Sequence, residues 1–177
     1  MNIYLIGYRC SGKTTVGRRL AKAVGWAFID LDEKIVQNAG MTIKTIVENR
    51  GWKVFRRLEK EMLAEVSKDD CRMIATGGGV VLNNANVRTM KKKGKIIWLK
   101  VGPQTIVARM AADRQTVDFR PSLTEKPLFA EIEETLRARA PYYQKAMDFD
   151  VDTDERDIED ICEAIRRKLC RVPLEHT

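Results

Sequence analysis

The strongest constraint on this chain is an eight-residue glycine motif close to the amino terminus. Residues 7–14 read Gly-Tyr-Arg-Cys-Ser-Gly-Lys-Thr and fit the pattern G-x-x-x-x-G-K-[ST]. A strand-like segment, Asn2–Ile6, precedes the motif, and the helix-forming segment Thr15–Val24 follows it. In this setting, successive backbone N–H groups and the positive end of the helix hold phosphate oxygens. The motif predicts a loop for nucleotide phosphates, and the alternative is a glycine turn with an incidental lysine.

Short apolar segments alternate with longer segments of helical spacing along the whole chain. The strand-like segments, rich in Ile, Val and aromatic residues, are Asn2–Ile6, Trp26–Ile29, Arg72–Ala75, Lys95–Leu99 and Phe149–Val151. Segments with an apolar stripe at helical spacing are Val54–Ser67, Pro127–Tyr143 and Ile158–Leu169. Buried strands that alternate with helices imply a parallel sheet covered on both faces. The pattern predicts one three-layer α/β domain over residues 1–177, with a five-stranded parallel sheet.

One segment breaks this alternation. Asp113–Lys126 is polar, contains a proline and shows neither the helical nor the strand periodicity of apolar residues. A loop of that length in a compact domain is usually functional or mobile. Its two arginines, Arg114 and Arg120, indicate a lid that covers a bound anion. The alternative is a surface loop without a function.

Composition excludes several classes of function. The net charge of +7 suits polyanionic partners such as nucleotides, nucleic acids or acidic metabolites. The four cysteines form no CxxC pair and the single histidine, His176, lies at the end of the chain, which argues against a zinc site or a histidine triad. No apolar run approaches the roughly 20 residues of a membrane span, and no secretory signal is present. We expect a cytoplasmic protein with reduced thiols.

Two aspartates mark the end of the second predicted strand. Asp30 and Asp32 flank Leu31, and strand alternation sends both carboxylates to the same side. Ligands of open α/β sheets bind at this carboxyl edge. We expect one carboxylate to hold a metal ion through water and the other to take or orient a substrate hydroxyl proton. The alternative is that an aspartate here caps the next helix.

A run of three glycines, Gly77–Gly79, follows the third predicted strand. Glycines let the backbone approach a ligand more closely than any side chain would allow, although a flexible turn is the alternative. This run points again to the ligand edge of the sheet.

Two arginines are candidates for binding an acidic substrate. Arg56 and Glu59 are three residues apart, so the carboxylate can hold the guanidinium on one helix face. Arg139 follows the core-facing Leu136 by three residues and should also face inward. Planar guanidinium groups match a carboxylate through two parallel hydrogen bonds. Many other basic residues are present, and among them we assign Arg57, Arg137 and Lys91–Lys93 to solvent.

In this order and spacing, the motifs resemble those of the shikimate kinase family over nearly the whole chain. They are the phosphate loop with Lys13-Thr14-Thr15, Asp30-x-Asp32, Phe55-Arg56-x-x-Glu59, Gly77–Gly79, Arg120-Pro121 and Arg139-x-Pro141-Tyr142-Tyr143. The resemblance implies a P-loop fold like that of nucleoside-monophosphate kinases, with a lid at about residues 113–126. It implies transfer of the γ-phosphoryl group of ATP to the 3-hydroxyl of shikimate, giving ADP and shikimate 3-phosphate in chorismate and aromatic amino-acid synthesis.

The resemblance also implies roles on the nucleotide side. Thr14 would ligate Mg²⁺ directly, and Asp30 would hold the water shell of the metal. Lys13 and Arg120 would be catalytic, with Arg120 reaching over the phosphates from the lid. The ATP contacts would be Cys10, Ser11, Gly12, Lys13, Thr14, Thr15, Arg120 and, beside the adenine, Arg156.

On the acceptor side, the resemblance makes Asp32 the base or orienter, in contact with the ring hydroxyls of shikimate. Arg56, Gly78 and Arg139 would bind shikimate, and the two arginines would grip its carboxylate.

Two alternatives remain. The first is a related kinase for another small molecule or a nucleotide, such as gluconate or adenylate kinase, which would not need Arg56 and Arg139 at a carboxylate together with Asp32 on ring hydroxyls. The second is a non-catalytic domain that senses nucleotides or binds nucleic acid. Only 7% of residues are aromatic and no ribbon of alternating aromatic and basic residues is present, which argues against nucleic acid. With no large apolar surface stripe left over, we expect a monomer with ATP and shikimate as partners.

Overall fold

Five parallel strands form the centre of the protein, in the spatial order β2-β3-β1-β4-β5. The computed structural model describes residues 1–112 and 127–171, with no side-chain description for residue 171. The predicted lid, with Arg114 and Arg120, and the tail with His176 lie outside the described residues. The strands are β1 (Asn2–Ile6), β2 (Ala27–Asp30), β3 (Arg72–Ala75), β4 (Gly94–Lys100) and β5 (Phe149–Asp152). The predicted five-stranded parallel sheet is confirmed, with strand ends that shift by a residue at most.

Seven α-helices and one 3₁₀ turn connect or follow these strands within the described part of the chain. The helices are α1 (Lys13–Val24), α2 (Leu31–Ala39), α3 (Ile43–Val66), α4 (Asn84–Lys93), α5 (Pro103–Ala112), α6 (Leu128–Ala146) and α7 (Ile158–Arg171), and the 3₁₀ turn is Val80–Leu82. None of the helices within residues 1–112 and 127–171 is long and apolar enough to cross a membrane.

Two helix details differ from the expectation. Helix α3 begins well before the predicted Val54, and the backbone at Gly51 leaves helical geometry with φ 76° and ψ 165°. Glycine adopts this left-handed region without the steric cost of a Cβ, so two helical segments join there. Pro127, expected in the first turn of its helix, is instead the N-cap residue of α6.

Alternation along β1 distributes the core between the two faces of the sheet. Tyr4 and Ile6 point into one apolar cluster, together with residues of α2, α3 and α6. Ile3 and Leu5 point into a second cluster, with residues of α1 and α7. All four side chains are at most 5% exposed. Because both faces of the sheet are buried here, Ile3–Ile6 of β1 is an uninterrupted apolar run.

The strand order brings three loops together at the carboxyl edge of the sheet. β1 lies between β3 and β4, and β2 pairs with β3 on the other side. The loop that starts at Gly7 therefore lies beside the Gly77–Gly79 run that follows β3, and Asp30 ends the next strand along. This edge carries the candidate site, as the rule for open α/β sheets predicts.

Candidate active site

The loop between β1 and α1 has the backbone geometry of a phosphate-binding loop. Three of its residues have positive φ values: Gly7 at 141°, Cys10 at 59° and Gly12 at 91°. A Cβ on Gly7 would lie 2.5 Å from the carbonyl oxygen of Leu99, so no larger residue fits there. The loop then enters α1 directly, which directs the positive end of that helix at its concave side.

Lys13 lies inside this loop rather than in solvent, with 7% of its surface exposed. Its Nζ donates to the carbonyl oxygens of Gly7 at 2.9 Å and Tyr8 at 2.6 Å, and to Ser11 Oγ at 3.3 Å. The ammonium group is therefore held within the loop that would surround a phosphate. Of the other loop residues predicted to contact ATP, Ser11 is buried and Thr15 is exposed.

Asp30 caps the next helix, which is one of the alternatives that the sequence left open, and its second carboxylate oxygen also contacts the phosphate loop. Its Oδ1 caps helix α2 by accepting from the backbone N–H groups of Asp32 at 3.0 Å and Glu33 at 3.3 Å. Its Oδ2 accepts from Thr14 Oγ1 at 2.7 Å. A hydroxyl and a carboxylate thus meet beside the phosphate loop, and both are oxygen ligands of the kind that Mg²⁺ prefers.

The strand argument for Asp32 was wrong. β2 ends at Asp30, and Asp32 lies in the first turn of α2, so helix geometry rather than strand alternation sets its direction. The side chain still faces the cleft and is 8% exposed. A β-carbon placed on Gly77 would lie 3.0 Å from Asp32 Oδ1 and 2.8 Å from Glu59 Oε1. Gly77 therefore lets two buried carboxylates approach the same stretch of backbone.

Arg56 is held in one orientation from three sides. Its Nη1 donates to both carboxylate oxygens of Glu59, at 2.7 and 2.8 Å, which confirms the predicted pair on one helix face. The guanidinium carbon also lies 5.4 Å from the ring centre of Trp52. On another side the guanidinium packs against Gly79, where a Cβ would lie 2.5 Å from Cζ. Burial raises the pKa of Glu59, and the neighbouring guanidinium of Arg56 opposes that rise.

Arg139 reaches the same cleft from α6. Its Nη1 donates to the carbonyl oxygen of Gly78 at 3.2 Å. Its guanidinium carbon lies 6.0 Å from the centre of the Tyr8 ring. The inward direction predicted from the spacing to Leu136 is therefore present, and the contact links α6 to the loop after β3.

Asp32, Arg56, Glu59 and Arg139 line one open cleft. Asp32, Arg56, Gly78 and Arg139, which the sequence predicted to bind one acceptor, all belong to its wall. The complete lining is Tyr8, Arg9, Asp32, Ile43, Trp52, Phe55, Arg56, Glu59, Gly77, Gly78, Gly79 and Arg139. The arginines assigned to solvent lie elsewhere: the side chains of Arg57 and Arg137 are 68% and 79% exposed.

Several residues of the site were not predicted. Arg109 on α5 donates to the carbonyl oxygen of Cys10 at 3.0 Å and to that of Thr153 at 2.7 Å, so it joins the phosphate loop to the loop after β5. Arg156, the residue predicted beside the adenine, follows in that second loop and is exposed. No local pattern in the sequence distinguishes Arg109 from the other basic residues.

A buried ion pair also joins the phosphate loop to α6. Arg9 Nη2 lies 2.7 Å from Glu131 Oε1, and the two side chains are 10% and 2% exposed. Neither residue was singled out in the sequence, because each has the ordinary appearance of a charged surface residue. Their pairing depends on the packing of α6 against the loop.

The metal expectation fits the oxygen groups at the loop. Within residues 1–112 and 127–171, no cluster of three or more His, Cys, Asp or Glu side chains could hold a metal ion. Magnesium at phosphate sites usually takes only one or two protein ligands and completes its shell with water and phosphate oxygens. The pair of Thr14 Oγ1 and Asp30 Oδ2 is a donor set of this kind.

The chain is similar to shikimate kinases over most of its length. A family model described as shikimate kinase matches residues 9–170. The shikimate kinase of Moorella thermoacetica is 40% identical over 168 residues, which covers 95% of this chain and 94% of that protein. Shikimate kinase 2 of Sodalis glossinidius is 38% identical over 168 residues, with 95% of each chain covered.

A solved structure has the same architecture. The shikimate kinase from Acinetobacter baumannii in complex with shikimate superposes with a TM-score of 0.90 and 30% sequence identity. The superposition covers 98% of this chain and 95% of that protein.

Proposed function

This chain belongs to the shikimate kinase family, and we propose that its cleft transfers the γ-phosphoryl group of ATP to the 3-hydroxyl of shikimate. The observation that carries the proposal is the position of Arg56 and Arg139, which line one cleft together with Asp32 beside the phosphate loop. A kinase for a neutral sugar would have no need for this pair of guanidinium groups, and gluconate, which also carries a carboxylate, is distinguished from shikimate by the assay below.

The acceptor side of the cleft suits a small hydroxylated acid. The guanidinium groups of Arg56 and Arg139 supply paired donors for the carboxylate of shikimate. Asp32 accepts from a ring hydroxyl, and Gly78 brings its backbone close to the ring because it carries no side chain. Glu59 and the rings around Arg56 keep that guanidinium in place before the substrate arrives.

The nucleotide side is formed by residues 10–15. Backbone N–H groups of this loop and the amino end of α1 hold the phosphate oxygens. Lys13 supplies a positive charge from within the loop. Thr14 and Asp30 would hold Mg²⁺, which when bound would neutralise part of the phosphate charge.

The chain contributes position and charge to the reaction. Phosphoryl transfer has a loose transition state with charge spread over the transferred group, so alignment and cations do most of the work. Asp32 orients the 3-hydroxyl toward the phosphate and takes its proton as the bond to phosphorus forms. Arg120, by family resemblance, adds positive charge from the segment outside the described residues.

The direct test is an assay of ADP release with MgATP and shikimate. We expect turnover with shikimate well above the ATP hydrolysis seen without an acceptor. Gluconate and AMP, the acceptors of the alternative kinases, serve as controls and should give only the background rate. Equal or higher turnover with gluconate or AMP would overturn the proposal. Salt-sensitive binding of DNA or RNA in preference to shikimate would support the non-catalytic alternative.

Replacing Arg139 by Ala should raise the KM for shikimate roughly 10- to 100-fold, because a charged hydrogen-bonding group is lost. The KM for ATP should change less than about twofold, since Arg139 lies on the acceptor side. Arg137→Ala is the matched control, because that side chain is on the same helix and 79% exposed. A loss of ATP affinity instead of shikimate affinity would contradict the assignment.

Replacing Gly79 by Ala should displace the Arg56 guanidinium, which occupies the space of the new Cβ. We expect the KM for shikimate to rise on the order of 10- to 100-fold. The φ of Gly79 is −107°, so alanine adopts this backbone and crowding is the only new effect. In an Arg56→Ala background the same substitution should add little, and an undiminished effect there would show that Gly79 does not act through Arg56.

Three expectations from the sequence stay proposals: a cytoplasmic location, a monomeric state and no nucleic-acid partner. Size-exclusion chromatography with light scattering tests the monomer. We also propose that Arg120 and Arg156 contact ATP, and alanine substitutions with KM measured for ATP test these roles.

A further inference from the structure

Tyr143 is a fully buried residue of α6 that lies behind the cleft wall and contacts Gly78, one of the residues that line the cleft. Its ring stacks on Trp98 of β4, with centroids 5.4 Å apart and planes inclined by 25°. Its hydroxyl donates to the carbonyl oxygen of Gly78. The ring is therefore fixed by the sheet, while the hydroxyl points at the glycine run that would contact the acceptor.

The Gly78 carbonyl oxygen receives two hydrogen bonds from the same helix. Arg139 Nη1 donates to it at 3.2 Å, and the Tyr143 hydroxyl is the other donor. A carbonyl oxygen has two lone pairs, so both donors can be accommodated at once. Burial raises the pKa of Tyr143 to about 12, so its hydroxyl keeps the proton that it donates throughout the neutral range.

Gly78 itself lies against the phosphate loop. A Cβ at this position would lie 3.4 Å from the Gly7 carbonyl oxygen and 3.5 Å from the backbone nitrogen of Arg9. The peptide after Gly78 is thus the point where the glycine run, the phosphate loop and α6 meet. A shift of this peptide would change the distance between the acceptor contacts and the phosphates.

The two donors to Gly78 differ in what a bound acid would do to them. Arg139 must turn its donors toward the carboxylate if it grips the substrate, and it keeps the bond to Gly78 only where the new orientation still directs an N–H of Nη1 at that oxygen. Tyr143 has no competing acceptor among the contacts described for it, because its single proton is committed to Gly78. Its bond can therefore hold the peptide whatever Arg139 does.

We propose that Tyr143 is a positioning residue that holds the Gly78 peptide in its acceptor-binding place, so that Arg139 is free to bind the substrate carboxylate. This inference rests on the proposed function of the cleft. It extends that function to a side chain that acts on the acceptor through Gly78.

The test is Tyr143→Phe, which removes one oxygen and leaves the ring against Trp98. We expect the KM for shikimate to rise roughly tenfold, since a buried acceptor loses a donor, while the KM for ATP stays within about twofold. Binding of shikimate without nucleotide, measured by calorimetry, should weaken by a similar factor.

Two control variants separate positioning from general damage. Tyr142→Phe alters the neighbouring residue, which is 48% exposed, and should change neither KM. Tyr4→Phe removes another buried tyrosine hydroxyl, which donates to Ser67 Oγ at 2.9 Å. Neither Tyr4 nor Ser67 lines the cleft. That variant should lose thermal stability to a degree comparable with Tyr143→Phe but keep the wild-type KM for shikimate.

The outcomes are distinct. A Tyr143→Phe enzyme that loses stability but keeps the wild-type KM for shikimate would overturn the proposal, as would an equal rise in both KM values. If the wild-type enzyme itself fails to phosphorylate shikimate, the proposed function fails instead. A selective rise in the KM for shikimate, absent from both controls, supports the positioning role.

Discussion

Asp32→Asn should lower turnover with shikimate about 10²- to 10⁴-fold, the range typical for loss of a positioned general base. Asparagine keeps the shape of the side chain but removes the carboxylate that, in the proposed mechanism, orients the hydroxyl and accepts its proton. The side chain is 8% exposed and faces the cleft, so little water is available to replace it. Affinity for ATP should stay within about twofold, because we propose that the loop and not Asp32 holds the phosphates.

The measurements are kcat from ADP release and ATP affinity from calorimetry. Glu33→Gln is the matched control, because Glu33 is the next residue of α2 and its side chain is 54% exposed. That control should retain wild-type kcat. Turnover of Asp32→Asn close to that of wild type would show that another group orients the hydroxyl.

Glu131→Ala should lower the free energy of unfolding by about 3–5 kcal/mol, the usual cost of removing one partner from a buried ion pair. The Arg9 residue is 9% exposed and the Glu131 residue 2%. Loss of the carboxylate leaves a buried guanidinium without the oxygen that lies 2.7 Å from it. Urea unfolding monitored by circular dichroism measures the change.

Two variants show whether the charge is the cause. Glu133→Ala removes a carboxylate that is 53% exposed on the same helix, and it should change stability by less than about 1 kcal/mol. The double variant Arg9→Met/Glu131→Leu removes both charges and fills the space, so it should recover most of the loss. A double variant as unstable as Glu131→Ala would mean that packing or other contacts of these side chains, rather than the unpaired charge, produce the effect.

The features that could be predicted from the sequence depend on neighbours along the chain. The phosphate loop needs glycines at set positions between a strand and a helix, and all of them lie within Gly7–Thr14. The Arg56–Glu59 pair is three residues apart on one helix, so its contact follows from helical geometry. Apolar runs and stripes identified the strands and three of the helices for the same reason.

The error at Asp32 has a local cause as well. The prediction continued the strand by two residues, whereas Asp30 caps a helix that begins at Leu31. An N-cap aspartate and a strand-end aspartate have the same appearance in a short segment. Both assignments place the carboxylate at the ligand edge, so the role proposed for Asp32 does not depend on which assignment is correct.

By itself the sequence determined the phosphate loop, the five parallel strands, the glycine run and the family, because each depends on residue types at short, regular spacing. Only the tertiary structure decided which distant side chains meet. Arg9 and Glu131 are 122 residues apart along the chain, and Arg139 and Gly78 are 61 apart. Such pairs form because α6 packs against the carboxyl edge of the sheet, and the geometry of that packing depends on the whole core rather than on any one segment.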